Sequence, residues 1–192
     1  MVFGKTEAPL TVIRSSRRSI GVEVKNGAVT VRAPFLALPR EIDRILESHS
    51  EWIEKKLKLC ETRFREAEEA GPLTREEILK LADRAARVIP PKVEHYAKLM
   101  NIEYGRITIR AQKTRWGSCS SKGNLNFNVL LMLAPDEVLD GVIVHELSHR
   151  KHMNHSKDFY DEILKVYPEY HKHDKWLKTH GHALMLRLAG MQ

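Results

Sequence analysis

The sequence predicts an α+β fold, and three of its features indicate that class. Residues 11–37 are rich in β-branched side chains and contain Asn26-Gly27, a dipeptide typical of two-residue hairpin turns. Charged stretches with apolar residues at helical spacing occupy most of residues 40–100. Short alternating segments between residues 106 and 128 predict a small antiparallel sheet, and more helical sequence follows them.

The first 70 residues are expected to form strands and then helices. Ser48 and Ser50 lie inside the helical stretch and are suited to cap a second helix, because a serine hydroxyl accepts a hydrogen bond from a helix N-terminus. Gly71-Pro72 then interrupts the pattern. We therefore expect a β-hairpin and helical segment over residues 1–70 and a separate domain over residues 72–192. The expected elements of the first part are strands at 11–14, 20–24 and 29–32 and helices over 40–70.

The second part opens on a helix signal. Thr74 and Glu77 have the spacing of a capping box, which predicts a helix as far as Met100, with a break at Pro90-Pro91. Asp136 is suited to open another helix, which the pattern extends through residue 153. The remaining expected elements are strands at 106–110, 114–120 and 124–128, and helices that start near residues 156 and 168.

The composition indicates a folded, basic protein. Hydrophobic residues make up 42% of the chain, which is enough for a core, and the net charge of +7 favours anionic partners such as nucleic acid. Lysine and arginine are scattered among glutamates, however, and form no dense basic block. The two cysteines make no disulfide framework, and no apolar run is long enough for a signal peptide or a membrane span. We expect a cytoplasmic protein outside the membrane, of undetermined oligomeric state.

The segment from His145 to His149 carries the chemistry that the sequence predicts most specifically. It reads H-E-L-S-H inside a predicted helix, and residues four apart share one helix face, so both imidazoles can hold one ion. Imidazole suits Zn²⁺, which in catalytic sites keeps one coordination position for water. Glu146 follows the first histidine and is placed to take the proton of that water. We expect one Zn²⁺ per chain.

The third metal ligand is expected just after the predicted helix, at a point where the chain turns back toward the first two histidines. His152 shares a helix face with His145 but lies about 10 Å along the axis, too far for one ion. His155 is reached only if the chain turns back, and Asn154 tolerates the left-handed conformation that ends helices. Ser156 is a good N-cap for the next helix. We therefore predict His155 as the third ligand and a supporting or surface position for His152.

Four further histidines lie near the C-terminus, and their roles stay open. They are either solvated side chains of terminal helices or include a proton donor. They are His171, His173, His180 and His182.

Two blocks together carry a resemblance to a known family. The first is Thr-Arg-Trp-Gly-Ser-Cys at residues 114–119, and the second is H-E-L-S-H with a histidine six residues further on. With Asn126, Pro168 and Trp176-Leu177, they resemble the YgjP-like metallopeptidase family over about residues 10–188. That family is similar to the SprT and WLM zinc metalloproteases.

The resemblance implies a zincin-like domain with a small sheet, an active-site helix and a backing helix. It implies metal ligation by His145, His149 and His155, with Glu146 as the base, and a peptide or protein as the substrate. In zincin-type folds an edge strand beside the metal pairs with an extended substrate. The candidate for this strand, or for the turn next to it, is Arg115, Trp116, Gly117 and Ser118. Trp116 is equally well interpreted as a core residue.

Two other functions are considered. A metal-dependent hydrolase of nucleoside triphosphates would use the same water, with phosphate held by Lys113, Arg115, Arg150 and Lys151. No P-loop or carboxylate-rich metal motif supports it. A basic protein that binds nucleic acid or a DNA-associated partner, with zinc only structural, is less favoured because structural zinc sites close with four ligands and often use cysteine. A zinc peptidase is therefore the preferred interpretation.

Overall fold

A computed structural model describes residues 1–189 of the chain. The chain divides into two compact units, the first spanning Met1–Glu66 and the second beginning at Ala67. Within residues 1–189, none of the helices combines the length and the apolar character that crossing a membrane requires.

The first unit contains two small sheets and two helices. β1 (Val2–Phe3) and β2 (Thr6–Glu7) form a short hairpin, and β3 (Leu10–Ser15), β4 (Gly21–Lys25) and β5 (Ala28–Pro34) form a sheet in the order β3-β5-β4. β3 pairs with β5 in parallel, whereas β4 pairs with β5 antiparallel. The buried side chains of β5 pack with apolar residues of α1 (Pro39–Ser48) and of α2 (Ser50–Ala70).

Two features of this unit were predicted from local sequence: the hairpin turn at Asn26-Gly27 and a serine cap for the second helix. Asn26 and Gly27 have φ values of 50° and 75°, the signs that a type I′ hairpin turn requires, so the predicted hairpin is confirmed. The helical stretch is interrupted at His49, but neither serine serves as the expected cap. The Ser48 hydroxyl donates to the Ile45 carbonyl of its own helix, and Ser50 is already the first residue of α2.

The second unit begins with the longest helix, α3 (Arg75–Met100). Its capping box forms as predicted: the Glu77 amide donates to the Thr74 hydroxyl, and the Thr74 amide donates to the Glu77 carboxylate. The expected break at the two prolines is wrong, because the helix continues through them. Ile89 and Val93 on either side are fully buried in the main core, and this packing outweighs the lost backbone hydrogen bonds.

The sheet of the second unit is mixed, although an antiparallel one was expected. β6 (Ile107–Arg110), β7 (Gly117–Cys119) and β8 (Leu125–Asn128) lie in the order β6-β8-β7. β6 and β8 are parallel, because the chain crosses over β7 before it returns, while β7 and β8 are antiparallel. β7 is three residues long, shorter than the predicted strand, and pairs on one side only among the described residues.

Three helices complete the unit after a 3₁₀ turn at Val129–Leu133. They are α4 (Asp136–Ser148), α5 (Lys157–Val166) and α6 (Tyr170–Ala189). α4 ends at Ser148 and does not continue through residue 153 as predicted. The turn that follows is fixed by Arg150, whose guanidinium donates to the carbonyls of Glu103 and Ser121.

The backbone conformation expected at this turn differs from the one that the structure shows. Asn154 is not in the left-handed region, since the only non-glycine residues with positive φ among residues 1–189 are Asn26 and Asn101. Ser156 does cap α5, with its hydroxyl accepting from the Phe159 amide. The α+β class is therefore confirmed, while the second sheet, the two prolines of α3, the expected serine caps and the end of α4 differ from expectation.

Candidate metal centre

The three histidines of the predicted metal site lie close together. One ligand nitrogen from each of His145, His149 and His155 falls within 4.8 Å of the other two. The Nε2 atoms of His145 and His155 are 3.2 Å apart. Two nitrogens bound to one tetrahedral Zn²⁺ at ~2.1 Å lie roughly 3.4 Å from each other, so this spacing fits a shared ion.

A backbone carbonyl orients the second histidine. The Nδ1 atom of His149 lies 3.1 Å from the His152 carbonyl oxygen, and a carbonyl can only accept. His149 must therefore carry its proton on Nδ1, which leaves the Nε2 lone pair free for a metal. His152 thus supports the site through its backbone, in agreement with the supporting position predicted for it.

Tyr170, at the start of α6, holds the first histidine. Its hydroxyl oxygen lies 2.8 Å from His145 Nδ1, and the two rings are stacked with centroids 6.0 Å apart. If Nε2 ligates a metal, Nδ1 carries the proton and donates to this hydroxyl. Sequence reasoning missed Tyr170, because it lies 25 residues from His145 and its local sequence does not indicate the contact.

The surroundings favour the neutral form of His145 and His149 by lowering the pKa of each. Burial, with the neighbouring histidines adding to it, lowers the pKa of His145 to about 3. The Phe159 side chain is fully buried, and its ring centroid lies 5.0, 4.6 and 4.9 Å from those of His145, His149 and His155. Only a neutral imidazole can ligate a metal, so the lowered pKa values of His145 and His149 suit these two side chains to hold one.

Glu146 lies beneath β7, on the face of α4 that the sheet covers. Its side chain is buried, and burial raises its pKa to about 8, opposed by the positive charge of Arg115. A Cβ atom at Gly117 would lie 2.5 Å from Glu146 Oε1 and 2.7 Å from Cγ. The glycine is therefore what permits the strand and the carboxyl group to approach so closely.

The four predicted substrate-binding residues do not all line the same cleft. Trp116 and Gly117 line a cavity of about 220 Å³ together with His145 and Glu146. Arg115 and Ser118 line a different, polar cleft. Trp116 also packs against the core and against Gly181 of α6, so the core interpretation describes part of its role.

The basic residues proposed to hold phosphate also separate into two pairs. Arg150 is engaged with backbone carbonyls, and Lys151 donates to the Met100 carbonyl and pairs with Glu162. These two side chains stabilise the turn after α4. Lys113 and Arg115 instead line the polar cleft.

Of the four C-terminal histidines, His173 alone lines the cavity beside the histidine cluster. The Tyr167 hydroxyl donates to the Glu137 carbonyl, so His173 Nδ1, 2.8 Å away, donates to the tyrosine oxygen. His171 packs its ring against Tyr160 and Tyr170, and His180 packs against Trp176.

These residues define an α+β protein with a cluster of three histidines suited to a transition metal. The chain belongs to the YgjP-like metallopeptidase family, whose domain model, described as "YgjP-like, metallopeptidase domain", matches residues 75–180. The family that the sequence motifs indicated is thereby confirmed. No curated protein matches the chain.

Two solved structures of archaeal metallopeptidase zymogens are similar to part of the chain. Abylysin of Pyrococcus abyssi is 24% identical, with 47% of this chain and 93% of that chain covered and a TM-score of 0.43. Jannalysin of Methanocaldococcus jannaschii is 26% identical, with the same coverage and the same TM-score.

Proposed function

We propose that the protein is a zinc-dependent peptidase in which His145, His149 and His155 hold one ion and Glu146 is the general base. The observation that carries this proposal is the convergence of the three imidazoles beside a buried carboxyl group. Zn²⁺ bound there would polarise the scissile carbonyl and lower the pKa of a water molecule. Family membership supports the reaction class.

Glu146 is suited to transfer the proton of the attacking water to the leaving amine. Its carboxylate is not among the three clustered ligand groups, so it is free to accept a proton from the attacking water. The same group then delivers that proton to the nitrogen of the leaving amine. Gly117 keeps the strand close above Glu146, and this excludes bulk water from one side of the carboxyl group.

β7 is suited to hold the substrate. Its outer edge has no partner strand among residues 1–189, and its first residue contacts Glu146. An extended peptide that pairs with this edge would form backbone hydrogen bonds and place a carbonyl next to the histidine cluster. The cavity lined by Trp116, Val142 and Leu177 would receive a neighbouring side chain.

The test is hydrolysis by the zinc-loaded protein and by Glu146→Gln, with an unfolded protein and a panel of nucleoside triphosphates as parallel substrates. The amide has the shape of the carboxylate but cannot take a proton. We expect Glu146→Gln to retain zinc and to lose peptide hydrolysis by about 1000-fold. Release of phosphate or pyrophosphate that depends on Glu146, without any peptide cleavage, would instead establish nucleotide hydrolysis.

A further inference from the structure

The two faces of β7 differ in the groups that they present. Gly117 faces Glu146, and successive residues of a strand point to opposite faces. Ser118 therefore points away from α4, and its hydroxyl accepts a hydrogen bond from the Asn126 amide of β8 at 3.1 Å. The face opposite the metal centre is thus polar, while Leu125 and Phe127 of β8 are buried in the core on the other face.

A basic cleft of about 420 Å³ opens on this polar face. Its cations are Arg110 at the end of β6, and Lys113 and Arg115 in the connection that leads into β7. Uncharged polar groups, including Ser118 and Asn126, complete its walls. Among the described residues that line it there is no acidic side chain and no aromatic ring. The positive charge of the cleft is therefore not neutralised from within.

The cations of this cleft are available to a ligand. The side chains of Arg110 and Lys113 form no ion pair or hydrogen bond with any residue in the described range. By contrast, most lysines on the helices of this unit pair with an acidic residue one turn away, as Lys80 does with Glu76 and Lys98 with Glu94. Unpaired cations converging on one concave site attract and orient anions.

We propose that this basic cleft binds acidic side chains of the peptide substrate, an inference that rests on the proposed peptidase function. An extended peptide paired with the edge of β7 presents alternate side chains to the two sheet faces. One set faces the histidine cluster and its cavity, and the other set faces Ser118 and the basic cleft. The preferred substrates therefore carry Asp or Glu at every second position on the cleft side.

An acidic polypeptide fits the cleft better than a nucleic acid does. Single-stranded nucleic acids are held by aromatic side chains on which bases stack, combined with a long basic groove. The cleft has three cations and no aromatic lining among the residues described. An extended acidic peptide instead needs only a short row of cations beside the strand that it pairs with, and Arg110, Lys113 and Arg115 line the cleft next to β7.

The test measures binding in the zinc-loaded Glu146→Gln protein, in which cleavage is blocked. Fluorescence anisotropy follows a labelled peptide of alternating Glu and Ser, a matched peptide of alternating Gln and Ser, and a labelled single-stranded DNA. The double substitution Arg110→Gln/Lys113→Gln is compared with Lys122→Gln/Lys175→Gln, which removes the same charge from exposed positions outside the cleft. Arg115 is left in place because its charge acts on Glu146.

The expected result is that the acidic peptide binds the parent and the control pair equally and binds the cleft pair about five- to tenfold more weakly. The Gln-Ser peptide should bind weakly to all three, and added salt should weaken the acidic peptide most. Equal binding of the acidic peptide to both double variants, or DNA as the only ligand sensitive to the cleft pair, would overturn the proposal. Binding that depends on the cleft, combined with no peptide hydrolysis by the zinc-loaded protein that retains Glu146, would refute the proposed function instead.

Discussion

The two units contain sheets of the same design, but of these two sheets only that of the second unit lies beside the cluster of three histidines. In each, the first strand pairs in parallel with the third, and the second strand forms an antiparallel edge: β3-β5-β4 in the first unit and β6-β8-β7 in the second. Each edge strand also begins with a glycine, Gly21 in β4 and Gly117 in β7. The strand order alone therefore does not produce a site.

The difference lies in what packs beneath the sheet. In the first unit, the helix residues beneath β5 are Ile42, Leu46, Ile53 and Leu57, all of them buried and apolar. In the second unit, α4 places Glu146 beneath β7 and two histidines beside it. Burying a carboxyl group costs stability, so its presence beneath β7 supports our proposal that the active site lies at this sheet.

The largest expected effect is on metal binding, and it tests whether the second unit supplies the ligands. His155→Ala removes one of three clustered nitrogens, and we expect zinc affinity to fall by more than about 100-fold, beyond what the loss of a supporting group causes. His152→Ala should keep its zinc, because His152 supports His149 through its carbonyl only. His49→Ala removes the sole histidine of the first unit and should also have no effect.

Elemental analysis after dialysis against a weak chelator measures this prediction. Equal zinc loss from the His152 and His155 variants would show that the third ligand is misassigned. Zinc loss from His49→Ala would show that the first unit takes part in the site.

The next effect compares the two edge-strand glycines. In Gly117→Ala the new methyl group would lie 2.5 Å from Glu146 Oε1 and 2.7 Å from Cγ, so either the base or the strand must shift. We expect about a 100-fold loss of peptide hydrolysis, as for a reacting group displaced by ~1 Å. Gly21→Ala would meet only the flexible end of Arg17, at 3.0 Å, and should keep wild-type activity.

Steady-state kinetics of both variants, with zinc content as a check, decides this comparison. A Gly117→Ala protein with full activity and full zinc would mean that the close approach of strand and carboxyl group is incidental to the reaction.

The smallest effect concerns Tyr170, which positions a ligand without touching the metal. Tyr170→Phe removes the oxygen that lies 2.8 Å from His145 Nδ1, and we expect zinc affinity to fall by about tenfold. Tyr160→Phe is the matched control, since its ring lies near His155 but its hydroxyl bonds to no described residue. Competition titration with a zinc indicator separates the two variants; the same affinity in both would remove Tyr170 from the site.

Local sequence determined the elements whose stabilising contacts are short in range. The Asn26-Gly27 turn, the Thr74 capping box and the Ser156 cap form as predicted, because each depends on backbone geometry or hydrogen bonds within about four residues. The helix spacing of His145 and His149 likewise follows from the helical period alone. Two short sequence blocks were also sufficient to indicate the family, because they contain the residues of the metal centre and of the strand beside it.

Tertiary packing decided what local rules could not. α3 continues through its two prolines because Ile89 and Val93 are buried on either side of them, and α4 stops at Ser148 because Arg150 ties the next turn to distant carbonyls. Tyr170 reaches His145 only because α6 packs against α4. The parallel pairing of β6 with β8 also arises from strand order, which local sequence does not specify. The sequence by itself thus predicted the candidate metal ligands, which lie within eleven residues and do cluster. The tertiary structure decided what surrounds them, because those contacts join residues far apart in the chain.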